Sequence, residues 1–380
     1  MRVTMLNKYY PPHLGGIEFH MRDLAEKLAS SGAAEVSALV ANEGPGDIRE
    51  TIAGVEVTRL SRLVEYASTP VAPGMARSLR GLAASATPPD VLHLHFPYPW
   101  GEVSWLWARP RIPTVMTYHS DIVRQKAALA AYRPFLERVL DRVDLIIASS
   151  PNMVGHSEFL APRKRKCRII PFGIHTERYA ETPEIRARAA QLRERHGERK
   201  VVLFVGRLVY YKGIDVLMRA MQGIDADLVV IGRGPLETEM REFTQAHGMA
   251  ERVYFEPPVD EADLAAWYHA ADVFCLPSVA RSEAFGLVQL EAHASGLPVV
   301  STDLTTGVPF VNEHGVSGLV VPPSDAEALA SALKELLGDD ELRARLGRQA
   351  KERALDRFTI DRMAADTLEV YREAIAGGTG

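Results

Sequence analysis

An α/β fold of two doubly wound parallel sheets is predicted by three features of this 380-residue chain. Short apolar runs rich in β-branched residues alternate with helical stretches from end to end, as in strands joined by crossover helices. Those runs are apolar on both faces, so their sheets are covered on both sides. The length exceeds what one hydrophobic core ordinarily serves, which makes two domains the expectation.

The first half is read as follows. Arg2-Val3-Thr4-Met5-Leu6 is a strand, and Pro11-Pro12-His13-Leu14-Gly15-Gly16 is the loop after it. Ile17, Met21, Leu24 and Leu28 recur near the helical period, which predicts a helix over 17–28. Further strands fall near 36–41, 91–96, 113–118 and 145–149, and the set ends near 169–171. Residues 172–179 read as the connection between domains, and 183–198 as a helical stretch dense in Arg and Glu. A second set of strands begins at 200 and continues near 227–232, 253–255, 273–277 and 298–301. A last helix covers about 360–375. No internal repeat is visible, although each half reads as one Rossmann-like unit.

Composition narrows the function classes. Hydrophobic content of 47% and charged content of 24% are those of a globular protein. A net charge of −5 carries no nucleic-acid signature. Cys167 and Cys275 are far apart and form no metal-spaced cluster, which fits a reducing cytoplasm. Met1 leads straight into a strand with no apolar signal core, and no run reaches the length of a membrane span.

The chemistry concentrates at loops that follow strands. Ser282-Glu283-Ala284-Phe285-Gly286-Leu287-Val288-Gln289-Leu290-Glu291 places two carboxylates on either side of a tight helix start. On a helix their spacing spans about 10 Å along the axis. Such a layout suits a ligand with hydroxyls at both ends and a diphosphate between them, as in a nucleotide sugar. The helix start favours the anionic middle through its free N–H groups and partial positive charge. Taken alone, a Glu pair at one spacing is equally well a surface pair. Arg207 and Lys212 lie on the loop after the strand 201–205, at the edge where parallel sheets bind ligands. They match a diphosphate, the one as a planar fork and the other as a point charge. Gly15-Gly16 opens a helix and admits close approach of a phosphate or sugar. Gly232-Arg233-Gly234-Pro235 is another strand-to-helix turn.

In order along the chain, these elements resemble the retaining GT-B nucleotide-sugar glycosyltransferases of family GT4. The marks are Gly15-Gly16, Thr117-Tyr118-His119-Ser120-Asp121, Pro171-Phe172-Gly173-Ile174, Gly206-Arg207…Lys212-Gly213, Gly232-Arg233-Gly234-Pro235 and Glu283-x7-Glu291, covering nearly the whole chain. The resemblance implies two Rossmann-like domains facing across a cleft. Residues 1–172 would form the acceptor-side domain, 173–359 the donor domain, and helix 360–380 would return to the first. It assigns Glu283 to the transferred hexose, Glu291 to ribose, and Arg207 and Lys212 to the diphosphate. Backbone amides of Phe285, Gly286 and Leu287, with Gly15, Gly16, Gly232 and Gly234, would complete the donor site. His119 would lie near the donor sugar and reaction centre. Glu18 and Asp121 are candidates for acceptor contact; Asp121 alternatively caps a helix beginning near Ile122, and Glu18 alternatively serves the helix dipole.

The implied activity is a metal-independent hexosyl transfer that keeps anomeric configuration. A GDP-mannose-type donor is expected, with a UDP-hexose as the other option. The acceptor is a hydroxyl of a surface glycan or lipid-linked sugar. No cofactor is expected, and the setting is cytoplasmic, extending to the inner face of the membrane. Peripheral contact with that membrane is the sharper reading of the basic run 162–168 and of the helix 122–140 bearing Arg124, Lys126, Arg133 and Arg138; solvated surface is the plainer one. Asp225-Ala226-Asp227 imitates a metal motif but precedes its strand, so solvated residues are expected there. Pro257-Pro258 and Ala284 depart from the family's glycines. Three competing readings are a nucleotide-sugar epimerase, a phosphorylase-like enzyme with a Schiff-base lysine, and a non-catalytic glycan-binding protein.

Overall fold

The structure is a computed structural model that describes residues 1–13, 15–66, 69–122 and 126–377. Leu14, Arg124, the Lys126 side chain and the last three residues of the expected terminal helix lie outside the described residues. The chain divides into two compact units, residues 1–172 with 360–380, and residues 173–359.

Unit 1 holds strands β1 (Arg2–Leu6), β2 (Glu35–Ala41), β3 (Ile48–Ile52), β4 (Val55–Leu60), β5 (Val64–Tyr66), β6 (Thr69–Val71), β7 (Val91–Phe96), β8 (Thr114–Tyr118), β9 (Leu145–Ala148) and β10 (Cys167–Ile169). Its helices are α1 (Gly16–Ser30), α2 (Met75–Ala83), α3 (Pro99–Ala108), α4 (Lys126–Arg142), α5 (Pro151–His156) and, last in the chain, α14 (Ile360–Gly377). Eight strands make one sheet in the order β10-β9-β8-β7-β1-β2-β4-β3. All its pairings are parallel except β3 with β4. β5 and β6 form a separate hairpin. β1 and β7 are adjacent, and the chain winds outward from them in both directions, so the switch point of this sheet lies between their carboxyl ends.

Sequence reading passed over the β3–β4 hairpin. Its turn is Ala53-Gly54, with φ of +47° and +82°. Positive φ at both central residues gives the right twist for a two-residue hairpin, which Asn-Gly or Asp-Gly normally announces. The burial of β4 alternates at its start, because it lies near the sheet's edge beside the exposed β3.

Unit 2 holds α6 (Pro183–Glu194), β11 (Val201–Val205), α7 (Ile214–Met221), β12 (Asp227–Ile231), α8 (Glu237–Ala246), β13 (Val253–Glu256), α9 (Glu261–Ala270) and β14 (Val273–Leu276). It continues with α10 (Leu287–Ala294), β15 (Val299–Thr302), α11 (Val308–Val311), β16 (Gly318–Val321), α12 (Ala326–Gly338) and α13 (Asp340–Arg357). The sheet order β13-β12-β11-β14-β15-β16 is parallel throughout. That is the doubly wound dinucleotide-binding order, with its switch point between β11 and β14. Val202, Phe204, Leu228, Val230, Val273 and Cys275 carry the core from the strands to α7 and α12. The polar helix α6 starts where Thr182 accepts a hydrogen bond from the Ile185 N–H and Pro183 takes the first turn.

Candidate functional site

The switch point of unit 2 is where its charged side chains meet. Lys212 ends a short 3-10 turn after β11, and Gly213 follows with φ of +67°. Its Nζ lies 2.6 Å from Glu283 Oε2, and only 11% and 10% of the two side chains are exposed. Ser278, two residues beyond β14, donates from Oγ to the same carboxylate oxygen at 3.0 Å. The Ser278 carbonyl accepts in turn from Thr302 Oγ1 at the end of β15, at 2.5 Å. The ends of β11 and β14 are thus tied through one carboxylate, and β15 joins them through the Ser278 carbonyl. Arg207 is exposed on the same loop as Lys212.

Backbone contacts hold this arrangement tightly. A Cβ at Gly213 would stand 2.0 Å from the Pro277 carbonyl oxygen, and one at Gly232 would stand 2.1 Å from the Gly206 oxygen. At Gly234 the clash would be with the Leu208 oxygen, at 2.3 Å. These glycines therefore let the loops after β11, β12 and β14 press backbone against backbone. Arg233, between two of them, is exposed and paired with Glu237 at 2.5 Å.

Helix α10 starts beside the ion pair. Gly286, in the left-handed region at φ +72°, precedes its first residue. Phe285 is buried, and its carbonyl accepts from Gln289 Nε2 at 2.7 Å. The first N–H groups of α10 lack helical partners and favour an anion. Only Glu291 belongs to the helix; Glu283 stands on the loop ahead of it, so the two carboxylates do not share a helical face. Glu291 accepts from the Tyr268 hydroxyl at 2.7 Å. Burial pushes its carboxyl upward, and hydrogen bonds from Tyr268 and Tyr179 oppose that shift. The Tyr179 and Tyr268 rings meet edge to face at 5.9 Å.

Residues 15–173 match the family described as Glycosyl transferase 4-like domain, and residues 187–353 match Glycosyl transferases group 1. The chain is 35% identical over 373 residues to O-antigen chain mannosyltransferase C of Escherichia coli, covering 98% of each. It belongs to the GT4 family of GT-B glycosyltransferases. This GT4 glycosyltransferase is also 36% identical to D-rhamnosyltransferase WbpZ of Pseudomonas aeruginosa, over 94% of its own length and 92% of the relative. Sucrose-phosphate synthase from Thermosynechococcus elongatus shares the fold, with a TM-score of 0.78 at 24% identity and 99% coverage of both chains.

In unit 1 of the GT4 enzyme, Gly15 precedes α1, and a Cβ there would lie 2.6 Å from Glu18 Oε2. The Glu18 carboxylate therefore folds back over Gly15, while Gly16 has open space around it. Glu18 is buried. Asp121 Oδ1 accepts from the Tyr118 hydroxyl at 2.8 Å and from Ser157 Oγ at 2.7 Å. It ties the end of β8 to the end of α5, which leaves that oxygen engaged within the unit.

His119 is buried among histidines that sequence reading did not single out. Its Nε2 lies 3.0 Å from His95 Nδ1, and the two rings stack at 5.3 Å. His20, on α1, meets the His119 ring edge-on at 4.8 Å. His93 bonds the Tyr371 hydroxyl and Thr117 Oγ1, both at 2.7 Å. The signal was the alternation His93-Leu94-His95, which puts both imidazoles on one face of β7. That alternation was hidden inside a run read only for its apolar residues.

One surface expectation is corrected, and the basic run is placed. Asp227 is buried, not solvated; it lies 2.8 Å from His196 Nδ1 and also pairs with Arg199. The basic run forms a 3-10 turn at Ala161–Lys166 followed by β10. Arg163 pairs with Asp141, Lys166 donates to the Asp141 and Val143 carbonyls, and Arg168 pairs with Glu373. Those three cations serve unit 1's own structure. No helix among the described residues is long and apolar enough to cross a membrane.

Proposed function

We propose that the chain transfers a hexose from a nucleoside-diphosphate sugar to a glycan or lipid-linked hydroxyl, with retention and without a divalent cation at the diphosphate. The observation that carries this reading is the Lys212–Glu283 pair at the β11/β14 switch point, beside the start of α10. Lys212 and exposed Arg207 supply positive charge for the diphosphate, the role a metal plays elsewhere. Glu283 takes hydroxyls of the transferred sugar, and Glu291 those of the ribose. Neither acid is a free nucleophile: Glu283 is held by Lys212 and Ser278, and Glu291 by Tyr268. That supports attack on the face from which the leaving group departs, with the leaving phosphate accepting the incoming hydroxyl's proton.

A mannosyl donor and a surface-glycan acceptor are supported by the name of the Escherichia coli relative, an O-antigen chain mannosyltransferase aligned over nearly the full length; GDP as the nucleotide rests on the family resemblance. Peripheral membrane contact belongs to the same reading, supported by exposed Leu63, Tyr66 and Trp107 on unit 1. Co-sedimentation with anionic vesicles tests it. Recovery of all the protein in the supernatant would remove it.

The test of the donor is thermal denaturation with GDP, UDP, ADP and their sugars. A ligand that binds only the folded state raises the midpoint, and the GDP series is expected to do so most. Product analysis by NMR then reads anomeric configuration, with inversion as the result that defeats the retaining assignment. EDTA is expected to cause no loss that magnesium or manganese restores. Rescue by either would return a cation to the diphosphate.

A further inference from the structure

Helix α3 is turned inside out. A surface helix ordinarily buries an apolar stripe and shows water its polar side. In α3 the polar side chains Glu102 and Ser104 are buried, whereas Trp107 is 54% exposed. Trp100 and Val103 are half-buried, and their spacing puts them on the same side of the helix as Trp107. The Trp100 and Trp107 rings meet edge to face at 5.9 Å. The outward side of α3 is therefore an apolar stripe led by indoles.

Arginines surround the end of that stripe. Arg80 of α2 donates to the Trp107 carbonyl at 3.3 Å, and Arg142 of α4 donates to the Leu106 and Pro110 carbonyls at 3.5 Å. Arg109 and Arg111 flank Pro110, and Arg77 stands one turn before Arg80. All five are exposed. Satisfying the last carbonyls of α3 accounts for Arg80 and Arg142. It does not account for Arg77, Arg109 and Arg111, whose side chains have no hydrogen bond or ion pair among the described residues. Arg142 feels Asp144, but that carboxylate accepts from the Thr114 N–H at 2.7 Å. Burial, and then repulsion from Arg109, lower the pKa of the Arg142 guanidinium. A chain with a net charge of −5 thus gathers cations without acids around an exposed indole. The basic run 162–168 is the contrast, since Arg163 and Arg168 are each paired with an acid.

We propose that the outward side of α3 and these arginines dock on an anionic phospholipid surface, with Trp107 entering the headgroup region. This names the surface for the peripheral contact given above and rests on that reading. Arginines gain from the negative potential of such a surface, and indoles settle at headgroup level. The side chains involved are cations and apolar groups with no acceptor among them. The Trp100 N–H is already given to the Ala72 carbonyl at 2.7 Å. Such a face has little with which to fix the register of a protein partner, whereas a fluid layer of phosphates needs no register. The cations lie where the chain leaves α3 to enter β8, at the amino ends of the strands. His119 follows the other end of β8, so lipid held by the arginines does not cover the edge where it stands.

The test uses the full chain with vesicles of phosphatidylglycerol and phosphatidylethanolamine, and with vesicles of phosphatidylcholine alone as the neutral control. Wild type is expected to sediment with the anionic vesicles only and to be released by salt. The triple variant Arg77→Gln/Arg109→Gln/Arg111→Gln removes cations that hold nothing in the fold, and it is expected to bind roughly 100-fold more weakly. Lipids brominated on the acyl chain are expected to quench wild-type tryptophan fluorescence and to quench Trp107→Phe much less. That measurement does not depend on the triple variant. Equal binding by wild type and the triple variant, equal binding to neutral vesicles, or equal quenching of wild type and Trp107→Phe would overturn this surface and leave the peripheral contact standing. Wild type bound to vesicles without any quenching would give the face to a protein partner instead. Wild type left in the supernatant with every vesicle would remove the surface and the contact together.

Discussion

At the residue scale, the Lys212–Glu283 pair is both a structural contact and the proposed donor grip, and the two roles separate experimentally. Removing one member of a buried pair costs about 3–5 kcal/mol, whereas replacing both with apolar residues is often neutral. Lys212→Ala and Glu283→Ala are each expected to lower kcat/KM by roughly 10²–10³, the scale of one lost preorganised contact. The double variant Lys212→Met/Glu283→Leu is expected to regain melting temperature while staying inactive. Restored transfer in that double variant would confine the pair to a structural role. Tyr268→Phe probes the other acid. It removes the 2.7 Å hydrogen bond that opposes the upward shift of the Glu291 carboxyl. The expected outcome is roughly tenfold weaker nucleotide binding at pH 7 by calorimetry, and unchanged affinity would detach Glu291 from the ribose. The residue types of this site were legible in the sequence because carboxylates and cations stood on loops after apolar strands. Their mutual pairing was not, because it joins loops from β11 and β14 that become neighbours only when β14 inserts beside β11.

At the element scale, the central strands were legible wherever both faces are covered, as in β7, β8, β11 and β12. Edge elements such as β3 and β5 were not, because exposed short strands carry little apolar signal. Helix α3 holds a group that no pattern announced. Glu102 is fully buried, accepts from the Tyr98 N–H at 2.7 Å and from the Tyr132 hydroxyl of α4, and has its carboxyl pushed up to about 7 by burial. Its folded pKa exceeds the unfolded value, so the neutral acid is the favoured partner in the fold. The stability it contributes is complete below about pH 4.5 and is lost as pH rises through about 7, a change of about 3 kcal/mol. Wild type is therefore expected to lose stability relative to Glu102→Gln between pH 5 and 8, measured by urea denaturation of both proteins. A difference that stays flat over that range would contradict the assignment. Gly213→Ala tests the strand-end loops in the same way. The added methyl meets the Pro277 carbonyl at 2.0 Å and the residue must hold φ of +67°. A loss of roughly 1–3 kcal/mol is expected, and an unchanged melting temperature would show that the loops relax freely.

At the scale of the whole molecule, the two units are not two consecutive stretches of chain. Unit 1 is completed by α14, which arrives after all of unit 2 has been built. The terminal helix was legible as a helix from its period, but periodicity carries no address, and its place came from the family resemblance alone. The structure supplies the physical reason for that place. Ile360, Met363, Val370, Tyr371 and Ala374 join Val3, Met5, Met21 and Leu24 in one buried cluster. Tyr371 also satisfies His93, and Glu373 pairs with Arg168 of β10. A chain ending at residue 359 would expose the apolar face of α1 and leave the buried His93 without its hydroxyl partner. Hydrogen exchange read by mass spectrometry is the direct measure, because it reports each unit by itself. The truncated chain is expected to lose protection in β1, β7 and β8, while β11, β12 and β14 of unit 2 keep theirs. Equal protection of β7 in the full and truncated chains would mean that the unit 1 core is sufficient without α14. Protection lost in both units together would mean that they unfold as one.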